Sequence, residues 1–133
     1  LMLPFLFPEE FSHEVVRANY DYYEPRTDHG SSLSPAIHAA VAARLGLREH
    51  AERYFHQSLT LDLSNQMGNS ASGVHAACMG GTWQALVFGL LGMRLTDGEV
   101  TVPDPARQLP EGWSSVEMEL AWGGRRHSVR VQR

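Results

Sequence analysis

The chain has 133 residues, of which 43% are hydrophobic and 20% are charged, and its formal net charge is −4. This composition is typical of a globular protein and excludes an intrinsically disordered chain. The negative net charge gives no sign of a basic surface, so we expect neither nucleic acid nor an anionic membrane surface as a partner.

The apolar segment Leu1–Phe7 has neither a basic flank nor a small-residue cleavage site. A signal peptide is therefore disfavoured, and the segment is far too short to span a bilayer. Because position 1 is not methionine, we expect the sequence to be the interior of a longer protein.

Cys78 is the single cysteine and lies among small and apolar residues. It cannot form an internal disulfide, which indicates a reducing compartment, and we expect a cytoplasmic protein with an inert, buried thiol. The pairs His50 and His56, and His29 and His38, lack the spacing of metal ligands, so no metal is predicted.

The first predicted helix starts at Pro8–Glu10, where a proline and two carboxylates suit a first turn, and it runs to Tyr20. The second covers Pro35–Leu45, with Ser34 as its N-cap and Gly46 as its C-cap.

The third predicted helix, Arg48–Leu61, follows a two-residue link, which indicates an antiparallel helical hairpin. A loop over Asn65–Gly73 leads to Val74–Leu91, which is apolar nearly all round and therefore predicts a helix buried inside a larger assembly. Gly80 and Gly81 are unfavourable inside a helix, so we expect a neighbouring helix or a ligand to need the space.

Beyond residue 92 the pattern changes to short alternating strands. Two strands are predicted in Met93–Val102 about an Asp97–Gly98 turn, and a proline-rich connection follows (Pro103, Pro105, Pro110). Two more, Ser115–Trp122 and His127–Val131, flank a pair of glycines. The sequence thus predicts a mainly α chain with appended β: helices over residues 1–92 and a small antiparallel β domain, a partial sandwich, over residues 93–133.

The loop Tyr22–His38 is the first candidate for a functional site, because it contains many hydrogen-bonding side chains just before the start of a helix. A helix N-terminus has unpaired N–H groups and a partial positive charge, and it attracts phosphate above all. The polar side chains of the loop are Glu24, Arg26, Asp28, His29, Ser31 and Ser32. The alternative for Glu24 and His29 is a structural loop network.

His75 is the second candidate, since it lies in the first turn of the last predicted helix. The alternative is a core histidine whose hydrogen bonds are satisfied within the protein. Together, the stretch Asn19–Ser34, followed in order by Gly73–His75 and Met79–Trp83, resembles glycoside hydrolase family 65, which includes inverting phosphorylases of α-glucosyl disaccharides.

This resemblance covers nearly all of residues 1–92 and implies the last helices of an (α/α)6 barrel. It assigns Ser31, Ser32 and His75 to phosphate and places Glu24 and His29 near the glucosyl ring. The family's general acid, a glutamate, and its lysine–glutamine pair are expected upstream, so no catalytic residue is expected within this sequence. A homodimer is also implied.

Two positions depart from the family pattern, and both leave the acceptor sugar open: Gly30 and Ser72 stand where relatives often have acidic residues. We expect phosphate as co-substrate and no cofactor. The alternatives are an inverting α-glucoside hydrolase on the same scaffold, with Asp28 or Glu24 reaching the attacking water, and an inactive structural fragment.

Overall fold

The computed structural model describes residues 1–103 and 109–133. The helices are α1 (Met2–Leu6), α2 (His13–Tyr23), α3 (Ser34–Arg44), α4 (Arg48–Thr60) and α5 (Ala76–Gln84). The strands are β1 (Arg94–Thr96), β2 (Glu99–Thr101), β3 (Ser115–Trp122) and β4 (Arg125–Gln132). They form two separate two-stranded antiparallel sheets, so the predicted order of helices before strands is confirmed.

Helix α2 begins later than predicted. Pro8–Glu10 forms only a short 3-10 turn, and Phe11 is extended with φ −127° and ψ 127°. The α-helix starts at His13, where the Ser12 hydroxyl accepts a hydrogen bond from the Val15 N–H at 3.4 Å. A serine N-cap satisfies a donor of the first turn, which explains why the helix starts here.

Helix α3 ends in a Schellman motif. The Leu47 N–H donates to the Ala42 carbonyl at 2.9 Å, and the Gly46 N–H donates to the Ala43 carbonyl at 3.1 Å. Gly46 has a φ of +72°, which glycine adopts without steric penalty. The motif reverses the chain into α4, and the predicted helical hairpin and its glycine C-cap are confirmed.

Helix α3 packs closely against α5 and against the π-helical turn Ala85–Leu90 that continues it, and α3 and α5 run in the same direction. A Cβ added at Gly81 would lie 3.0 Å from the Ala36 Cβ, and one added at Gly89 would lie 2.6 Å from the Ala40 Cα. Because these contacts advance together along both segments, the first turns of α3 and α5 lie at the same end. Gly81 thus makes room for a helix as predicted, whereas a Cβ at Gly80 would meet no atom within 4 Å.

The last helix is partly exposed among the described residues. It is α-helical to Gln84 and continues as a π-helical turn over Ala85–Leu90. Cys78 is fully buried, as expected, but Met79 and Trp83 are 40% and 44% exposed. Among the described helices, α3 and α4 cover one face of α5, so burial inside a larger assembly stays a prediction.

The main core lies between α2, α3 and α4, and alanines of α3 let the neighbouring helices pack close to its backbone. Its largest buried side chains include Tyr20, Val41, Tyr54 and Phe55. None of the helices within the described ranges combines the length and apolar character that crossing a bilayer requires.

Both predicted hairpin turns are confirmed. Asp97 and Gly98 have φ of +52° and +82°, and Gly123 and Gly124 have +58° and +74°. Positive φ at both central residues is the type I′ geometry that matches the twist of paired strands. The predicted proline-rich connection falls partly on residues 104–108, Pro105 included, which lie outside the described residues.

A second apolar cluster joins the strands to the end of the helical part: Leu91, Leu109, Val116 and Val131. The division into domains at residue 92 stays a prediction.

We expect Gly89→Ala to destabilise the complete protein by about 1–3 kcal/mol, the usual cost of overpacking, because the new Cβ would overlap the Ala40 backbone. Gly80→Ala is the matched control, and it should be neutral or stabilising by up to about 1 kcal/mol. Thermal unfolding midpoints measure both effects, and equal midpoints for the two variants would contradict the close contact.

Candidate functional site

The loop between α2 and α3 is tied together by the Ser34 side chain. The Ser34 hydroxyl lies 3.1 Å from His29 Nδ1 and 3.3 Å from the Ser31 carbonyl oxygen. It does not cap α3, since the helix begins at Ser34 itself, and within the described ranges no side chain caps this helix. The prediction of Ser34 as N-cap is therefore wrong, because its hydroxyl bonds back to the loop instead.

The two serines of the loop differ in exposure. Ser31 is exposed, and its hydroxyl accepts a hydrogen bond from the Leu33 N–H at 3.3 Å, whereas Ser32 is half-buried. Ser31 lies at an open cavity of about 230 Å³ beside the first turn of α3. The lining residues are Leu1, Met2, Ser31, Leu33, Ser34, Ile37 and His38.

Glu24 lies where α2 ends, and two neighbours on α4 hold its carboxylate. The Tyr54 hydroxyl donates to Glu24 Oε1 at 2.6 Å, and the Arg53 guanidinium donates to the same oxygen at 3.0 Å. The Tyr54 hydrogen bond, with smaller contributions from His50 and Arg53, holds the pKa of Glu24 below its usual range. Burial, helped by the bond to the carboxylate, raises the pKa of Tyr54 to about 12.

A histidine–tyrosine cluster surrounds these groups and consists of Tyr20, His29, His38, His50 and Tyr54. The ring centroids of His29 and Tyr54 are 4.6 Å apart, as are those of His29 and His38. The Tyr20 hydroxyl lies 3.1 Å from His50 Nδ1. Through Tyr54, the fold thus brings together Glu24 and His29, two of the residues that the sequence singled out.

The hydrogen bond of His38 shows which of its ring nitrogens carries a proton. Its Nδ1 donates to the Ser34 carbonyl oxygen at 2.8 Å, because a carbonyl can only accept. Burial lowers the pKa of His38 and also that of His29, so both rings favour the neutral form. The Nε2 atom of His38 then has a lone pair, and within the described residues it is buried without a hydrogen-bond partner.

His75 occupies the N-cap position of α5 and is held by an aspartate from the loop after α4. The Asp62 carboxylate lies 2.6 Å from His75 Nδ1 and accepts a hydrogen bond from the His75 backbone N–H at 2.8 Å. The ring's hydrogen bond, followed by the backbone one, holds the pKa of Asp62 below its usual range. The His75 side chain is 21% exposed and lies at a helix start, which disfavours the core-histidine alternative.

Ser31, Ser32 and His75 lie at the N-termini of two helices, and both N-termini are at the same end of the helical part. Ser31 and Ser32 precede α3, His75 precedes α5, and the two helices run in the same direction. Among the described hydrogen bonds, none joins a serine of this pair to His75. Their common role therefore stays a prediction, as do the roles of Glu24 and His29.

Three residues that the sequence did not mark belong to these clusters: His38, Tyr54 and Asp62. His38 and Tyr54 resemble ordinary members of a helical stripe. Asp62 carries a usable signal, because it is the only acidic residue between Glu52 and Asp97. A lone carboxylate at the end of a helix, followed by a turn-rich loop and a histidine, is a plausible partner for that histidine.

Comparison with known proteins gives a consistent result. The model of the glycosyl hydrolase family 65 central catalytic domain matches residues 1–84. Kojibiose phosphorylase of Halothermothrix orenii is 43% identical over 132 residues, which are 99% of this chain and 16% of that protein. Alpha,alpha-trehalose phosphorylase of Thermoanaerobacter brockii is 40% identical over 131 residues, 98% of this chain and 16% of that protein.

A solved structure from the human microbiome, provisionally named a kojibiose phosphorylase, superimposes with a TM-score of 0.86 at 32% identity. The match covers 99% of this chain and 19% of that one. The chain thus spans about one sixth of the length of the curated relatives that it matches.

We expect Glu24→Gln to destabilise the complete protein at neutral pH by about 1–2 kcal/mol, the scale of weakened charge-assisted hydrogen bonds. The folded pKa of Glu24 is lowered, so its contribution is complete above the unfolded value of about 4.3 and is lost as pH falls through the folded value. Thermal unfolding midpoints between pH 7 and pH 3.5 should therefore converge for parent and variant.

The matched control is Glu10→Gln, an exposed glutamate of the 3-10 turn, which should leave the midpoint unchanged throughout that range. A gap for Glu24→Gln that stays constant on acidification would contradict the proposed ion and hydrogen-bond pairing.

Proposed function

Because the chain belongs to glycosyl hydrolase family 65, we propose that it is part of an inverting glycoside phosphorylase. The complete protein would cleave an α-glucosyl disaccharide with inorganic phosphate, giving β-glucose 1-phosphate and a released sugar. The relatives are named for different disaccharides, which supports the class of substrate and leaves the particular disaccharide open. Phosphate is the co-substrate in this proposal, and no cofactor is required.

The observation that carries the proposal is that the N-termini of α3 and α5 lie at the same end, with hydrogen-bond donors at both. Within the described residues no side chain caps α3, so the N–H groups of its first turn other than Pro35, which has none, and its partial positive charge can attract an anion. Ser31 and Ser32 supply hydroxyls beside that opening, and His75 supplies an imidazole at the start of α5. This combination of donors suits a phosphate ion.

An inverting cleavage of a glycosidic bond determines which chemical groups the site must supply. An acid protonates the leaving oxygen, for which we propose a glutamate in the remainder of the protein, while a nucleophile attacks the anomeric carbon from the opposite face. Phosphate is already an anion and needs no base, only donors that hold it in line. Positioning of this kind contributes on the order of 7–11 kcal/mol where the geometry is good.

Glu24 and His29 are proposed to contact the glucosyl ring, on the support of their shared cluster around Tyr54. A carboxylate that Tyr54 and Arg53 hold in one orientation can accept hydrogen bonds from sugar hydroxyls through its remaining lone pairs. Because Nδ1 of His29 lies 3.1 Å from the Ser34 hydroxyl, Nε2, which is buried without a partner among the described residues, is the nitrogen left for a sugar hydroxyl.

A hydrolase on the same scaffold is the second candidate, and it needs a carboxylate base near the attacking water. Glu24 and Asp62 are already engaged, the first by Tyr54 and Arg53 and the second by His75. Asp28, which is exposed in the serine loop, is the acid that this alternative would use. The abundance of donors at the helix openings favours the phosphorylase.

We further propose that these helices are the last of an (α/α)6 barrel. The alternation of direction supports this, because α4 runs against α3 while α5 runs with it. Exposed apolar side chains such as Leu3, Phe7 and Trp83 would then pack against the remaining helices. The 133-residue chain alone should be inactive, and a homodimer of the complete protein is part of the same proposal.

Dependence of turnover on phosphate tests the reaction class. With kojibiose, trehalose and maltose as substrates, the complete protein should release glucose 1-phosphate in phosphate buffer and show little turnover in a phosphate-free buffer. Release of glucose at an unchanged rate without phosphate would establish the hydrolase instead.

The double variant Ser31→Ala with Ser32→Ala should raise the KM for phosphate by roughly 10- to 100-fold, the scale of losing hydrogen bonds to a charged group. The KM for the disaccharide should change far less. Ser12→Ala is the matched control, because it removes a serine that caps α2 away from this loop. Unaltered phosphate saturation in the double variant would refute the serine assignment.

A further inference from the structure

The Asp62 carboxylate contacts His75 at two points, the ring and the backbone N–H. One carboxylate oxygen lies 2.6 Å from His75 Nδ1, and the other accepts from the His75 backbone N–H at 2.8 Å. The Ser70 hydroxyl adds a longer bond to Asp62 at 3.4 Å, and the aspartate side chain is only 7% exposed. The rotation of the imidazole is therefore fixed together with the main chain from which it projects.

The partner determines where the protons of the ring lie. A carboxylate with a lowered pKa has no proton to give, so Nδ1 of His75 must carry the proton that lies between them. The other ring nitrogen, Nε2, is then the atom available to a ligand. It donates to a ligand only when the ring carries a second proton.

We propose that Asp62 is a positioning residue that holds the His75 ring by Nδ1, so that Nε2 forms a hydrogen bond with a bound phosphate. The inference rests on the proposed function and deepens it. A hydrogen bond between an imidazole and phosphate is charge-assisted, because phosphate is an anion.

A purely structural role is the competing explanation. An oxygen that accepts the His75 N–H would help to cap α5 and to close the loop between residues 62 and 75. A cap, however, needs one oxygen and does not involve the ring. The two explanations therefore differ in whether the effect of Asp62 depends on the imidazole.

Asp62→Asn in the complete protein makes that distinction. Asparagine keeps the shape but has one acceptor oxygen, so it cannot accept both hydrogen bonds. We expect the KM for phosphate to rise roughly 10- to 100-fold, as for loss of a charge-assisted hydrogen bond, while the KM for the disaccharide stays within about twofold. Asp21→Asn, at an exposed pair with Arg17, is the control and should change neither constant.

A double-mutant cycle with His75→Ala completes the test. If Asp62 acts through the imidazole, Asp62→Asn should have less than about a twofold further effect on kcat/KM for phosphate in the His75→Ala background. Equal effects in both backgrounds would overturn the inference and leave the proposed function standing. An unchanged KM for phosphate in His75→Ala alone would overturn the phosphate role of His75 and the inference with it.

Asp62→Ser covers the case in which Asp62→Asn fails to fold. Serine retains an oxygen that can cap a helix but leaves the ring without a carboxylate. We expect the same rise in the KM for phosphate, with circular dichroism confirming the fold. A correctly folded Asp62→Ser protein with the parent KM for phosphate would overturn the inference.

Discussion

The close contact between α3 and α5 is the constraint on which the rest of the arrangement depends. Alanine and glycine meet along this contact, and at Gly89 even one methyl group would overlap the backbone of Ala40. Because the two helices run in the same direction, their polar openings come to one end. Packing of small apolar residues therefore sets where the serine loop lies relative to His75, although none of the packed residues is polar.

Around this apolar contact, Glu24 and His75 are each held by specific partners. Tyr54 and Arg53 engage Glu24, and Asp62 engages His75. Pairing of this kind offsets the cost of desolvating the groups and fixes their orientation before any ligand arrives. The site is thus built as two supported polar clusters and not as isolated loop residues.

Several predictions failed for a common physical reason, which is competition between local signals. Pro8–Glu10 resembles a helix start, but the Ser12 cap begins the helix further on. Ser34 resembles an N-cap, but its hydroxyl bonds to His29 and the Ser31 carbonyl. In both cases a polar side chain had more than one favourable partner, and only the folded geometry shows which partner it takes.

The sequence by itself determined the succession of helices and strands, the helical hairpin closed at Gly46, and both type I′ turns, because turn and cap chemistry acts over a few residues. It also determined the family, through motifs that recur in order. Only the tertiary structure decided that Asp62 binds His75, that Tyr54 links Glu24 to His29, and that α3 and α5 open at the same end. These relations join residues 13 to 49 positions apart, and they depend on helix packing, which local chemistry does not encode.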